Sequence, residues 1–275
     1  MKKLLLGFMV CGAALLGAAE DGIRTFTFGD LKFTAFQDTP VNMPASLFRN
    51  ADKGVLKKLI PNGKAEASVN AFLLRLNGKN ILVDTGNGGG RGSLVAKMKQ
   101  AGIVPDKIDA ILLTHMHGDH IGGLVDGGKP VFPKADVYVS EPELAYWKSS
   151  GNQLVGRVLN AYGDRIKTFK LDSTVVPGIA GLAAKGHTPG HTVYELDSIM
   201  IIGDLLHAAA IQFPHPEFCP AYDMDAAEAV ATRLKFYDKA VQSGKPVAGM
   251  HLPFPGVGTI TRDKSGAYVF KPVTP

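Results

Sequence analysis

One short stretch limits the folds open to this chain more than any other. The apolar run Ile111-Leu112-Leu113 passes directly into Thr114-His115-Met116-His117-Gly118-Asp119-His120. A segment as uniformly apolar as residues 109–114 suits a strand covered on both faces, so the residues after it emerge at a sheet edge. Alternate side chains of an extended segment share a face, which lets His115, His117 and Asp119 point one way. His120 breaks that period, and a turn into a short helix near Gly118 would aim it at a neighbouring point. Imidazole and carboxylate are ligands that zinc accepts besides thiolate. Four such groups do not easily converge on one ion from so short a stretch. Two adjacent metals, each completed from elsewhere in the chain, fit the spacing better.

The missing ligands are expected at other strand ends. GHTPGHT (186–192) offers His187 and His191, SIMIIGD (198–204) ends on Asp204, and PVAGMH (246–251) ends on His251. Each lies at or just past an apolar or small-residue run, so the sheets would deliver them all to one rim.

Elsewhere, alternation predicts a hairpin from IRTFTF (23–28) and LKFTAF (31–36) around Gly29-Asp30, and a second from residues 68–76 and 79–84 around Asn77-Gly78. Helices are predicted over 93–102, from Glu141-Pro142 through Trp147, and over 225–242. Further strands are predicted at 135–140, 166–171, 192–196, 198–204 and 246–250. Strands outnumber helices, and the helices fall between groups of strands. That favours packed sheets with helices outside over a doubly wound parallel sheet.

The first residues are set apart. Lys2 and Lys3 precede an apolar run from Leu4 to Leu16, then Gly17-Ala18-Ala19 and Glu20-Asp21. This layout predicts a secretory signal over residues 1–19, cleavage near Ala19, and a secreted or periplasmic protein. The apolar stretch is short for a membrane span, so no stable anchor is expected. With no linker or charge block, residues 20–275 are expected to form a single domain. Losing residues 1–19 removes two lysines and no acids, taking the net charge from +5 to +3. With no basic run, nucleic acid is not an expected partner. Cys219 would then be the one remaining cysteine, which excludes an internal disulfide.

The quoted residues carry a resemblance. The Thr114–His120 segment, GHTPGH, Gly203-Asp204 and the late His251 resemble the metallo-β-lactamase superfamily. The resemblance runs through nearly the whole mature chain, from Leu82-Val83-Asp84-Thr85-Gly86 onward. SVNAFLLRLNGKNILVDTGNG, AAIQFPHPEFCPAYDMD and GMHLPFPGVG are similar to the branch containing methyl parathion hydrolase and related lactone and aryl-ester hydrolases. The resemblance implies an α/β (α+β) fold, a four-layer αβ/βα sandwich with two divalent metals at one edge. Zinc comes first, with iron, manganese or cobalt as alternatives. It implies that His115, His117 and His187 hold one metal and Asp119, His120 and His251 the other, with Asp204 bridging. Asp84 would orient ligand groups from behind. None of the seven ligand positions departs from the family pattern.

The reaction implied is hydrolysis by a metal-bridging hydroxide, with Asp119 orienting it and passing its proton to the leaving group. Lactones and activated aryl esters are the expected substrates, with organophosphate triesters as a side activity. Thioester hydrolysis of the glyoxalase II kind is the alternative enzyme reading. An exported metal-binding module without turnover is the alternative outside enzymes. A homodimer is compatible with the sequence.

Other residues have plainer readings. His191 is expected to be structural, His215 is a candidate for the pocket mouth, and Cys219 a small buried filler. Trp147, Phe213 and Phe218 are candidates for an apolar substrate wall, against the commoner fate of aromatics in cores. The glycines of GNGGGRG (86–92) lack the Gly-Lys-Ser/Thr ending of a phosphate loop and read as a mobile loop near the site.

Overall fold

The computed structural model describes residues 21–274. The predicted signal over residues 1–19 lies outside the described residues. In chain order the elements are β1 (Ile23–Phe28), β2 (Leu31–Pro44), α1 (Lys53–Leu59), β3 (Lys64–Leu76), β4 (Lys79–Val83), α2 (Leu94–Gln100), β5 (Ala110–Leu112) and α3 (Gly118–Ile121). Then come the short β6 (Val125–Asp126) and β7 (Lys129–Pro130), β8 (Asp136–Ser140), α4 (Glu141–Ser149), α5 (Gln153–Tyr162), β9 (Ile166–Phe169), β10 (Ser173–Val176) and β11 (Ile179–Ala183). The chain continues through β12 (Thr192–Glu195), β13 (Met200–Gly203), α6 (Ala209–Gln212), α7 (Ala226–Ser243), β14 (Val247–Gly249), β15 (Val257–Arg262) and β16 (Tyr268–Pro272).

Two seven-stranded sheets result, ordered β1-β2-β3-β4-β5-β8-β9 and β10-β11-β12-β13-β14-β15-β16. Strand alternation builds four layers from them. In β4, Ile81 and Val83 face the core between the sheets while Leu82 faces the opposite way. In β5, Leu112 faces the inner core, while Ile111 and, just past the strand, Leu113 share a cluster with Leu144, Val155 and Val158 of the helices α4 and α5. The second sheet repeats this: Ile201 points inward, while Met200 and Ile202 pack on Phe236 and Tyr237 of α7. The predicted sandwich is the observed one. Strands such as β5 are apolar throughout because both faces are covered.

Both predicted hairpins form. Asn77 and Gly78 take φ 51° and 72°, the left-handed pair that a tight two-residue turn needs. The strands β2 and β3 run well beyond the predicted 31–36 and 68–76. The prolines at 40 and 44 argue against continuing a strand, yet both pair with β3 after a register shift at Gln37/Thr39. Their extended ends form a separate apolar cluster with Leu56 of α1, Ile60 just after it and Ile211 of α6. The elements α1, α5, α6, β6, β7, β10, β11, β15 and β16 have no counterpart among the sequence expectations.

Parallel pairing decides where the site lies. The strands β4 and β5 are parallel in the first sheet, and β13 and β14 are parallel in the second. Each pair therefore ends on one edge. The edges are tied where Thr192 N–H donates to Thr114 O at 2.9 Å and Asn70 N–H to Met250 O at 2.9 Å.

Candidate metal centre

Beyond those strand ends come Asp84, His115, Asp204 and His251. The turn into α3 adds His117, Asp119 and His120, and the loop after β11 adds His187 and His191. All are buried to 3% exposure or less except His117, which is partly buried, and Asp119, whose side chain is 32% exposed. The structure brings all seven predicted ligand residues together.

Three imidazoles form a triangle. His115 Nε2 lies 2.9 Å from His117 Nδ1, which lies 3.0 Å from His187 Nε2, and the third side is 3.2 Å. Hydrogen bonds cannot satisfy such an odd ring, because at least one edge must set proton against proton or lone pair against lone pair. A tetrahedral ion bound at about 2.0–2.1 Å holds ligand nitrogens about 3.3 Å apart. The triangle lies within a few tenths of an ångström of that spacing.

A second cluster stands beside it. His251 Nε2 is 3.4 Å from Asp119 Oδ2, and His120 Nε2 is 3.7 Å from Asp119 Oδ1. The two clusters share Asp204. Its Oδ2 lies 3.7 Å from His115 Nε2, 3.4 Å from His187 Nε2, 3.4 Å from His120 Nε2 and 3.0 Å from His251 Nε2. Asp204 Oδ1 and His120 Nε2 are buried without a hydrogen-bond partner among the described residues. Orphaned polar atoms at such depth are costly. His120 Nε2 stands among carboxylate oxygens of Asp119 and Asp204, a donor set that suits a divalent cation.

The far sides of the rings agree with that reading. His120 Nδ1 donates to Asp84 at 2.7 Å, His187 Nδ1 to Asp223 at 2.9 Å, and His251 Nδ1 to the Ser68 carbonyl at 2.9 Å. Thr114 Oγ1 donates to Asp84 at 2.7 Å and so can accept from His115 Nδ1 at 3.1 Å. A proton fixed on the remote nitrogen leaves a lone pair facing the site. His191 is arranged differently. Its Nδ1 donates to the Ala184 carbonyl at 3.0 Å, and its Nε2 accepts the Asp204 amide at 2.9 Å. Both nitrogens are occupied, so His191 supports Asp204 through its backbone. Gly203 (φ 54°) lets the strand pass this ring, since a Cβ there would sit 2.4 Å from His191 Nε2.

Charge follows the same division. Burial, then neighbouring His120, lowers His115 well below its ordinary value. Burial and His187 lower His117 to about 3. For His120 burial works the other way from the outcome, and Asp204, Asp119 and Asp84 raise it well above the ordinary range. Burial alone would raise Asp204, but His120, His251 and His115 hold it well below the usual carboxylate value.

The clusters open on a cavity of about 600 Å³, walled on one side by Val41, Met43 and Val69 from the extended ends of β2 and β3. Asn87 and Arg91 of the glycine-rich segment border it, as do His207 and Tyr222. Asp38 holds that segment, accepting from Asn87 N–H and Leu94 N–H at 2.9 Å each.

Several expectations for side residues change. Phe213 lies in the core under α7 and Phe218 in the α1 cluster, so neither lines the cavity. His215 stacks on Phe218 and pairs with Glu217, away from the cavity wall. Trp147 is buried, with its ring edge-on to His117 at 5.4 Å. Cys219 is buried as expected. Residues missed in the sequence include His207, whose Nε2 lies 3.2 Å from Asp204 Oδ2 and whose ring stacks on His251 at 5.0 Å. Asp223, itself paired with buried Arg233 at 3.2 Å, and Glu143 were also missed. For His207, position three residues after Asp204 was the available signal.

Known proteins share this arrangement of chain. The model of the metallo-beta-lactamase superfamily matches residues 66–243. Among solved structures, the hydrolase AbOPH of the beta lactamase superfamily is 32% identical, with 92% of this chain and 98% of that one covered and a TM-score of 0.86. AidC, a dizinc quorum-quenching lactonase seen with N-hexnoyl-L-homoserine as product, is 28% identical at the same coverage, with a TM-score of 0.83. Among curated proteins, the hydroxyacylglutathione hydrolase of Erwinia tasmaniensis is 37% identical over 100 residues, 36% of this chain and 34% of that one. That of Xanthomonas euvesicatoria is 27% identical over 135 residues, 49% and 44% respectively. The chain thus spans less than half the length of these curated relatives. A sandwich whose two sheets deliver histidines and aspartates to one edge, matched over residues 66–243, places this chain in the metallo-beta-lactamase superfamily, a superfamily of metal-dependent hydrolases.

Proposed function

We propose that the protein hydrolyses lactones and activated aryl esters through a pair of divalent cations, with organophosphate triesters as a side activity. His115, His117 and His187 would hold one cation, and Asp119, His120 and His251 the other, with Asp204 shared. The observation that carries this reading is the single Asp204 oxygen facing histidines of both clusters. When bound, such cations supply Lewis acidity at the scissile oxygen and make water acidic enough to ionise near neutral pH.

The chain's own residues do the rest. Asp119 is the one carboxylate of the set with substantial exposure to the cavity. It is placed to accept a proton from the attacking water and to pass it to the leaving oxygen. His120 and His251 hold its carboxyl below the ordinary value against burial, so it rests as the base. The apolar wall of Val41, Met43 and Val69 suits the acyl or aryl part of an ester. The cavity wall carries neither serine nor cysteine among the described residues, and its one threonine hydroxyl, that of Thr39, is committed to Asp38, which leaves water as the nucleophile of this reading.

The likeness to the lactonase AidC over 92% of the chain supports the lactone reading, and the likeness to AbOPH supports hydrolysis. The hydroxyacylglutathione hydrolases support thioester cleavage as a second reading, over a shorter segment. Purified protein offered dihydrocoumarin, an aryl ester, an acyl-homoserine lactone and a glutathione thioester separates them. Turnover of the first three, abolished by a strong chelator, is expected. Turnover of the thioester alone would replace this reading. Two bound cations with no turnover on any substrate would leave a binding module. Export is proposed on the same terms: periplasmic material should begin near Glu20, and an intact Met1 there would refute it.

A further inference from the structure

Glu143 is fully buried in the first turn of α4, yet among the described residues no lysine, arginine or histidine pairs with it. Its carboxylate instead receives four donors. Oε1 accepts Met116 N–H at 2.9 Å and the Trp147 indole N–H at 2.6 Å. Oε2 accepts the Thr188 hydroxyl at 2.7 Å and Gly190 N–H at 2.9 Å. Met116 stands between His115 and His117, Thr188 follows His187, and Gly190 precedes His191. Three of the four contacts therefore fall on the two chain segments that build the imidazole triangle, which are about 70 residues apart in sequence, and the fourth comes from α4 itself.

The approach is too close to be incidental. A Cβ on Gly190 would lie 2.2 Å from Glu143 N and 2.5 Å from Ser140 Oγ. Ser140 Oγ also donates to Gly190 O at 2.7 Å, closing the same junction. Trp147, one helical turn beyond Glu143, carries the link onward, since its ring meets the His117 ring edge-on. Only an ionised carboxylate accepts four hydrogen bonds at once. Glutamine has the same shape but turns one oxygen into a donor, setting it against two donors.

We infer that Glu143 is a positioning residue for the cation held by His115, His117 and His187, fixing the distance between the two segments that supply those rings. This rests on the proposed reading of the triangle as a cation site. The second cluster is held by Asp84 and the Ser68 carbonyl, so the effect should fall on one cation of the two.

The test titrates zinc into chelator-stripped protein against a chromophoric competitor, following the emission of Trp147, the single tryptophan of the chain. The wild-type protein should bind two zinc ions, one of them changing the Trp147 emission. In Glu143→Gln that one should bind about 10–100-fold more weakly, and the emission change should move with it, while the other keeps its affinity. Thr188→Val, which removes one donor and keeps the shape, should weaken the same ion by less and guards against a Glu143→Gln protein that does not fold. An unchanged titration in both variants, or equal weakening of both ions, would overturn the positioning role and leave the two-cation reading standing. A wild-type protein that binds no zinc would overturn both.

Discussion

Asp204 Oδ2 lies 3.0 Å from His251 Nε2 and 3.4 Å from His187 Nε2, so one oxygen touches a ring of each ligand cluster. Both sheets contribute to this contact through the loops and strand ends at their shared edge. Asp204→Ala removes the only carboxylate the clusters have in common. It leaves the His115, His187, His120 and His251 nitrogens facing one another with no anion between them. Metal content should fall from two ions to one or fewer, and turnover by at least about 100-fold, as expected when a ligand carboxylate of a two-ion site is lost. Elemental analysis beside ester kinetics checks both. Two retained ions with normal rates would remove Asp204 from the site.

Asp84 touches the second cluster directly, through His120, and reaches the first only through the Thr114 hydroxyl. It takes φ 56° at the end of β4 and accepts from Thr114 N–H, Thr114 Oγ1–H and His120 Nδ1–H. Asparagine tolerates that backbone conformation, so Asp84→Asn tests the carboxylate with little backbone strain. It places an amide N–H against a hydroxyl or an imidazole N–H, which loosens the His120 ring. One cation should bind about 10–100-fold more weakly, read by chelator competition. An unchanged affinity would make Asp84 only a strand-end residue.

His191 should separate support from ligation. His191→Ala leaves the buried Asp204 amide and the Ala184 carbonyl without their partner and opens space beside Gly203. The loss should be about 2–4 kcal/mol of stability, with both cations still bound at saturating zinc. Chemical denaturation and metal analysis measure the two effects separately. Loss of one ion at full zinc would make His191 a ligand.

These variants also show which parts of the site could be read from sequence. The segment from His115 to His120 is legible because its residue types and spacing are local, and buried parallel strands such as β5 are apolar throughout. Asp204 and His251 are legible for the same reason, each just past such a strand. Glu143 is not, because three of its four donors are backbone and side-chain groups 27 to 47 residues away, and a glutamate in a first helical turn normally reads as a favourable end charge. Asp223 is likewise indistinguishable from a solvated loop acid until His187 and Arg233 close on it. The reach of β2 past Pro40 was hidden because proline ordinarily ends a strand, and its pairing with β3 past the register shift is a tertiary fact. Phe213 and Phe218 take the commoner fate of aromatics, since a ring near a ligand in sequence can still turn into a core.

The pH dependence of the metal-free protein follows from the histidines. Burial, then His187, lowers His191 to about 3 from an ordinary 6.5. Between those values the unfolded chain binds a proton that the folded one refuses, so stability falls as pH is lowered through that window. His117, at about 3, and His207, at about 4, act with the same sign. His120 and His251 act oppositely. Their folded values are raised, chiefly by Asp204 against the effect of burial, so the stability they add is complete below 6.5 and is lost as pH rises through those raised values. Stripped protein should therefore melt highest near pH 6.5 and lower on either side. Saturating zinc should flatten the alkaline fall, because cations replace the protons on His120 and His251, and steepen the acid one as protons displace the cations. Melting temperatures between about pH 4 and 9, with chelator and with zinc, check this. A stripped protein whose melting temperature stays flat from pH 6.5 to 4.5 would mean that these imidazoles are not buried as a group.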